Sequence, residues 1–73
     1  MKIRTQDARR FLDFGECHIE NCNSGTGVYI KTRYNQEAIL AGVYEDDARA
    51  KGVLYEIGLA HSGKTKVFYM PME

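Results

Sequence analysis

The stretch from Ala38 to Ile57, AILAGVYEDDARAKGVLYEI, sets an apolar run directly against an amphipathic helix, and its reading decides the fold class. Ala38–Tyr44 is apolar at positions of both parities, the pattern of a strand covered on both faces, and so predicts a strand central in a sheet. Gly42 within it marks a bulge or a close contact. Asp46 is the expected helix N-cap, with Glu45 and Asp47 adding negative charge where the helix dipole favours it. Ala50, Val53, Leu54, Ile57 and then Ala60 or His61 follow the i, i+3, i+4, i+7 rule, giving one apolar stripe that must pack on the sheet. Gly52 and Gly58 each cost about 1 kcal/mol against Ala in a helix interior, so this helix, over about residues 46–62, depends on tertiary packing. Ser62-Gly63 supplies its stop, with Gly63 expected in a left-handed conformation.

Working outward, Lys2–Thr5 and Phe11–Phe14 read as short strands separated by the polar turn chemistry of Gln6–Arg10. Glu16–Asn21 alternates, with Cys17 and Ile19 on one face and His18 and Glu20 on the other, as a half-buried strand does. Asn23-Ser24-Gly25-Thr26-Gly27 is a concentrated turn signal that joins it to Val28–Tyr34 as a hairpin. There Val28, Ile30, Thr32 and Tyr34 share the inward face, and Tyr29, Lys31 and Arg33 the outward one. Asn35-Gln36-Glu37 makes a second turn, and Lys66–Met70 reads as a last strand closed by Pro71. The expected architecture is a single α+β domain, residues 1–73: an antiparallel sheet of about five strands with one helix packed on one face.

Composition narrows the permitted roles. Ten Lys+Arg balance ten Asp+Glu, so no global field draws the chain to nucleic acid or anionic lipid. Two cysteines are too few for a disulfide framework, no secretory leader precedes Lys2, and no apolar run approaches the ~20 residues of a membrane span. A soluble, cytoplasmic protein is expected. Chains of this size supply only ~3–5 kcal/mol from their core, and one helix leaves part of the sheet open, so a homo-oligomer, most simply a dimer, is expected as well.

Three constellations invite chemical readings. Gly58–Thr65, GLAHSGKT, matches the phosphate-loop pattern GxxxxGK[ST] letter for letter. That motif works where a loop follows a strand and opens a helix; here a helix ends in it, so the negative dipole end would face the phosphate, and a helix C-cap is expected instead. Cys17, His18, Cys22 and His61 have a zinc-like composition, but Cys17 and Cys22 differ in strand parity and face opposite ways, so no metal site is expected. Tyr29, Lys31 and Arg33 place an aromatic ring and two cations on one strand face, a composition that stacks bases and tracks phosphates, or anchors a protein interface. These three are the candidate partner-binding residues. Five Tyr and three Phe exceed what one helix stripe covers, so exposed aromatic surface is expected.

Ile3–Asp7 (IRTQD), Ala41–Tyr44 running into Ala48–Ile57 (ARAKGVLYEI), and Tyr69-Met70-Pro71 together resemble a group of small uncharacterised proteins of Gram-positive bacteria and their phages. Relatives show a similar IR[ST]QD, then LG-x-Y followed by ERAKEVLDEI, then Y-x-MP, so Gly52 departs where glutamate is usual. The resemblance implies a phage or mobile-element setting, in which small proteins often bind and disable or redirect host proteins.

No convergent acid, base and nucleophile stands out, and a core this small is hard to hollow to the ~300–1,000 Å³ of a typical active-site pocket. The expectation is therefore a non-enzymatic protein without cofactor that binds a host protein, with inhibition of an antiviral system among the expected outcomes. The alternatives are a nucleic-acid-binding module using the basic and aromatic strand face, and an oligomer that sequesters a nucleotide.

Overall fold

The computed structural model describes residues 1–73 in the order β1 (Lys2–Arg4), β2 (Phe11–Asp13), β3 (Glu16–Cys22), β4 (Gly25–Lys31), β5 (Ile39–Tyr44), α1 (Asp47–Ser62) and β6 (Val67–Tyr69). The α+β class and the single helix are as expected, but the strands form two three-stranded sheets, β2-β1-β6 and β3-β4-β5, in place of one sheet of five. β1 also pairs parallel with β6, so the architecture is not wholly antiparallel. The two sheets fail to merge because the chain leaves β1 after Arg4 and meets β5 through Gln6 alone. Gln6 donates its backbone N–H to the Ala41 carbonyl at 2.8 Å and accepts from the Val43 N–H through Oε1 at 2.8 Å, while its Nε2 donates to the Val43 carbonyl at 3.0 Å.

That contact also corrects the expected position of Ala38–Tyr44. β5 is an edge strand, and the apolar residues of both its faces are explained by Gln6 closing its outer edge and by the half-exposed Leu40 on its outer face. The register with β4 shifts between Val28 and Tyr29, leaving Ala41 without a partner on β4 beside Gly42, the bulge position expected from the glycine.

β4 starts and ends three residues earlier than the sequence pattern suggested. The turn is only Asn23-Ser24, and Gly25 is already paired with Cys22. Gly25 has φ 149°, and a Cβ there would land on the Tyr44 carbonyl oxygen, so glycine serves the strand rather than the turn. With β4 closed at Lys31, Arg33 and Tyr34 fall in the following turn; Thr32 is buried as expected, but Tyr34 is exposed.

One core lies between the sheets and the helix. Ile3 and Leu12 come from the small sheet, Val28, Ile30, Ala41 and Tyr44 from the large one, and Ala50, Val53 and Ile57 from α1. Asp46 caps α1 by accepting the Arg49 N–H at 2.8 Å. Its C-terminus departs from expectation: Gly63 has φ −82°, and the left-handed residue is Lys64, φ 58°. Thr65 N–H donates to the Ala60 carbonyl and Lys64 N–H to that of His61, the paired bonds of a Schellman motif. This motif needs its left-handed residue at the second position after Ser62, and the glycine stands one position too early to fill it. No helix is long and apolar enough to cross a membrane.

Candidate binding surfaces

The three residues singled out by sequence do not form one patch. Tyr29 and Lys31 project from the outer face of β4, where Tyr29 stacks on His18 of β3 with ring centroids 5.3 Å apart. Leu40 leans beside Tyr29 over Gly27, where an added Cβ would stand 2.9 Å from each of those side chains. Arg33 lies beyond the end of the strand and is engaged locally: its Nη2 donates to the Tyr34 hydroxyl at 2.6 Å, and its guanidinium covers the Tyr34 ring at 4.9 Å.

A denser arrangement occupies the outer face of the small sheet. In the ladder Arg4 is flanked by Phe11 on β2 and Tyr69 on β6, while the neighbouring Ile3, Leu12 and Phe68 point into the core. Parity therefore sends Phe11, Arg4 and Tyr69 outward in one row. Both rings are more than half exposed, at 58% and 57%. The Arg4 guanidinium lies over the Tyr69 ring at 4.7 Å, and its Nε is buried without a hydrogen-bond partner. Lys2 and Asp13, an ion pair on the same face, border the row. Sequence could have placed Phe11 and Tyr69 outward from the inward Leu12 and Phe68; nothing in it could bring the two strands to either side of Arg4.

Three clefts open on the surface. One of about 470 Å³ gathers Lys31, Arg33, Tyr34, His61, Asp13 and Glu16 among its walls. Another of about 490 Å³ lies between Tyr44, Arg49 and Met72, and the third, about 260 Å³, between Thr5, Asp7, Arg10 and Gly42. These clefts form at seams between elements; two of them reach the ~300–1,000 Å³ of small-molecule sites and the third falls below it. In the first of these clefts His61 lies flat on Phe14 with centroids 3.9 Å apart. In the second the polar groups are engaged: Tyr44 donates to the Pro71 carbonyl at 2.8 Å, and Arg49 to the Glu73 carbonyl at 2.8 and 3.0 Å. Burial pushes the Tyr44 hydroxyl up to about 12.

The cysteines stay apart in role. Cys17 packs against the core, and burial raises its thiol above the usual range; Cys22 lies on the opposite face of β3. No group of three His, Cys, Asp or Glu side chains comes together to hold a metal ion. The phosphate-loop match spans the end of α1 and the turn after it, with Gly58 in the helix and Lys64 in the C-terminal cap. Comparison with protein-family models, with curated proteins and with solved structures found no match.

Proposed function

We propose that the chain is a small non-enzymatic binding protein that docks on a partner protein through the Phe11–Arg4–Tyr69 face. The observation that carries this reading is the guanidinium held flat on Tyr69 beside a second exposed ring. Aromatic rings and arginine are the side chains that anchor protein interfaces, and a stacked arginine surrenders less rotamer freedom on binding than a free one. The resemblance to phage and Gram-positive proteins points to a host protein as the partner, a component of an antiviral system among the candidates.

Affinity capture from a Gram-positive host extract tests the reading against a Phe11→Ser/Tyr69→Ser variant. The expected result is a partner retained by the native chain and lost by the variant, with thermal melts showing both folded. A partner held equally by both chains would move the site elsewhere.

A second reading rests on the cleft that Lys31, Arg33, Tyr34 and His61 share. Lys31 and Arg33, beside Tyr34 and His61, offer cations and rings to a nucleotide or an oligonucleotide end, but Asp13 and Glu16 share the cleft and offset that charge. Retention of a nucleotide by the purified chain, lost on Lys31→Ala/Arg33→Ala, would favour it over protein docking. Nucleic-acid binding through the same residues would show itself by weakening steeply as salt rises.

A further inference from the structure

We infer that the outer edge of β3 pairs with the same strand of a second copy, antiparallel and centred on Ile19. β3 is seven residues long and bounds its sheet, with β4 its only neighbour. None of the backbone hydrogen bonds outside the regular elements involves it.

Which of its groups lack partners follows from the other side of the sheet. Ala41 and Val43 turn their backbone groups outward to Gln6. Backbone direction alternates along a strand, so Gly42 and Tyr44 face β4, and their partners Val28 and Thr26 face β5. Gly25, Gly27 and Tyr29 then face β3 and bond Cys22, Glu20 and His18. Cys17, Ile19 and Asn21 are left directing N–H and C=O groups away from the sheet.

A two-fold antiparallel pairing that overlaps the full strand has only one centre, Ile19. It sets Ile19 opposite its own copy and Cys17 opposite Asn21, so all the outward-facing residues meet partners of the same kind. It also sets His18 opposite Glu20 of the other copy twice, in the non-hydrogen-bonded positions where side chains approach most closely. Centring on His18 or on Glu20 would instead set that residue against itself, and in the first case Glu16 against Glu20. Charges on an edge strand commonly keep it unpaired. A row of one sign serves that purpose, whereas His18 and Glu20, already in contact at 3.0 Å within one chain, stand symmetrically about Ile19 with complementary character. The pairing also covers Ile19, which is only partly buried in one copy. An interface of one short edge is small, so the dimer is concentration-dependent. It uses none of the residues of the Phe11–Arg4–Tyr69 face, and the two proposals fail independently.

Sedimentation of the full chain over a concentration series provides the test. The native chain is expected to dimerise as concentration rises. Glu20→Lys replaces the carboxylate facing His18 by an ammonium at both ends of the pairing and should weaken association by roughly tenfold or more. His18→Glu/Glu20→Lys restores opposite charges across the axis with the signs exchanged and should recover it. Thermal melts of each variant establish that the protomer remains folded. A native chain that stays monomeric throughout, a Glu20→Lys chain that associates as well as the native one, or a double variant as weak as the single one would each overturn the pairing.

Discussion

Gln6 turns its side-chain carboxamide to Val43 as a neighbouring strand would turn its backbone, giving an acceptor to the Val43 N–H at 2.8 Å and a donor to its carbonyl at 3.0 Å. The same Nε2 lies 3.0 Å from the Met72 carbonyl and 3.3 Å from that of Pro71, so one side chain ties β5 to the last residues of the chain. Gln6→Ala is expected to cost about 2–4 kcal/mol in urea unfolding, several bonds at ~1 kcal/mol each with part-buried groups left unpaired. Gln6→Glu keeps the acceptor and loses the donor, turning a carboxylate toward three carbonyl oxygens. Its folded-state pKa is thereby raised, so its stability should be nearer native in mild acid and fall as pH rises through that pKa. A Gln6→Glu chain as stable as the native one at neutral pH would refute this account of the joint.

Glycine substitutions should separate by position. Gly25→Ala meets both a positive φ and the Tyr44 carbonyl oxygen, and should destabilise by about 2 kcal/mol or more. Gly58→Ala adds a Cβ to a helix where no other group stands within 4 Å, and should stabilise by about 1 kcal/mol. Equal effects of the two in thermal melts would contradict the placement of Gly25.

The end of α1 supplies a reciprocal pair. Lys64→Gly relieves a left-handed lysine and should stabilise by about 1 kcal/mol, whereas Gly63→Ala, at φ −82° with the Leu59 carbonyl 3.3 Å from the new Cβ, should change stability by no more than about 0.5 kcal/mol. Calorimetry with ATP and magnesium is expected to give no heat that depends on Lys64. Binding abolished by Lys64→Ala would restore the phosphate-loop reading.

Tyr44 makes stability fall on the alkaline side. Its hydroxyl is held neutral by burial, to about 12 against 10.0 for a free tyrosine, so the unfolded chain releases this proton first. The contribution is fully present below the unfolded value and is lost as pH rises through the folded one. Denaturant midpoints should drop across that window, and Tyr44→Phe, lower in stability at neutral pH for want of the Pro71 bond, should show a shallower drop. Parallel slopes for the two chains would remove Tyr44 as the cause.

What was legible in the sequence was local. The Asp46 cap, the Ala50–Val53–Ile57 stripe and the β3–β4 hairpin each follow from residues within a turn or two of one another. The short strands were legible but not their partners, because three-residue strands such as Lys2–Arg4 carry no pattern that names a neighbour, and a side chain standing in for a strand, as Gln6 does, has no periodic signature. The same gap divided the binding residues: Tyr29 and Lys31 follow from alternation, Arg33 lost its face when β4 ended at Lys31, and the Phe11–Arg4–Tyr69 row exists only through pairing across the length of the chain.

The parallel pairing of β1 with β6 has a kinetic meaning. It closes the longest loop in the molecule, from Lys2–Arg4 to Val67–Tyr69, while the β3-β4-β5 meander and α1 are built from short-range contacts that can form without it. Closing a loop of that length costs more entropy than the local contacts do, so this pairing is expected to form late. Tyr69 reaches Arg4 only through that pairing, so the aromatic face is expected to mature late and to open when β6 frays. A molecule gripping both rings would act as a clasp across the two ends of the sequence, and the rate at which the chain unravels would report on whether the clasp is shut.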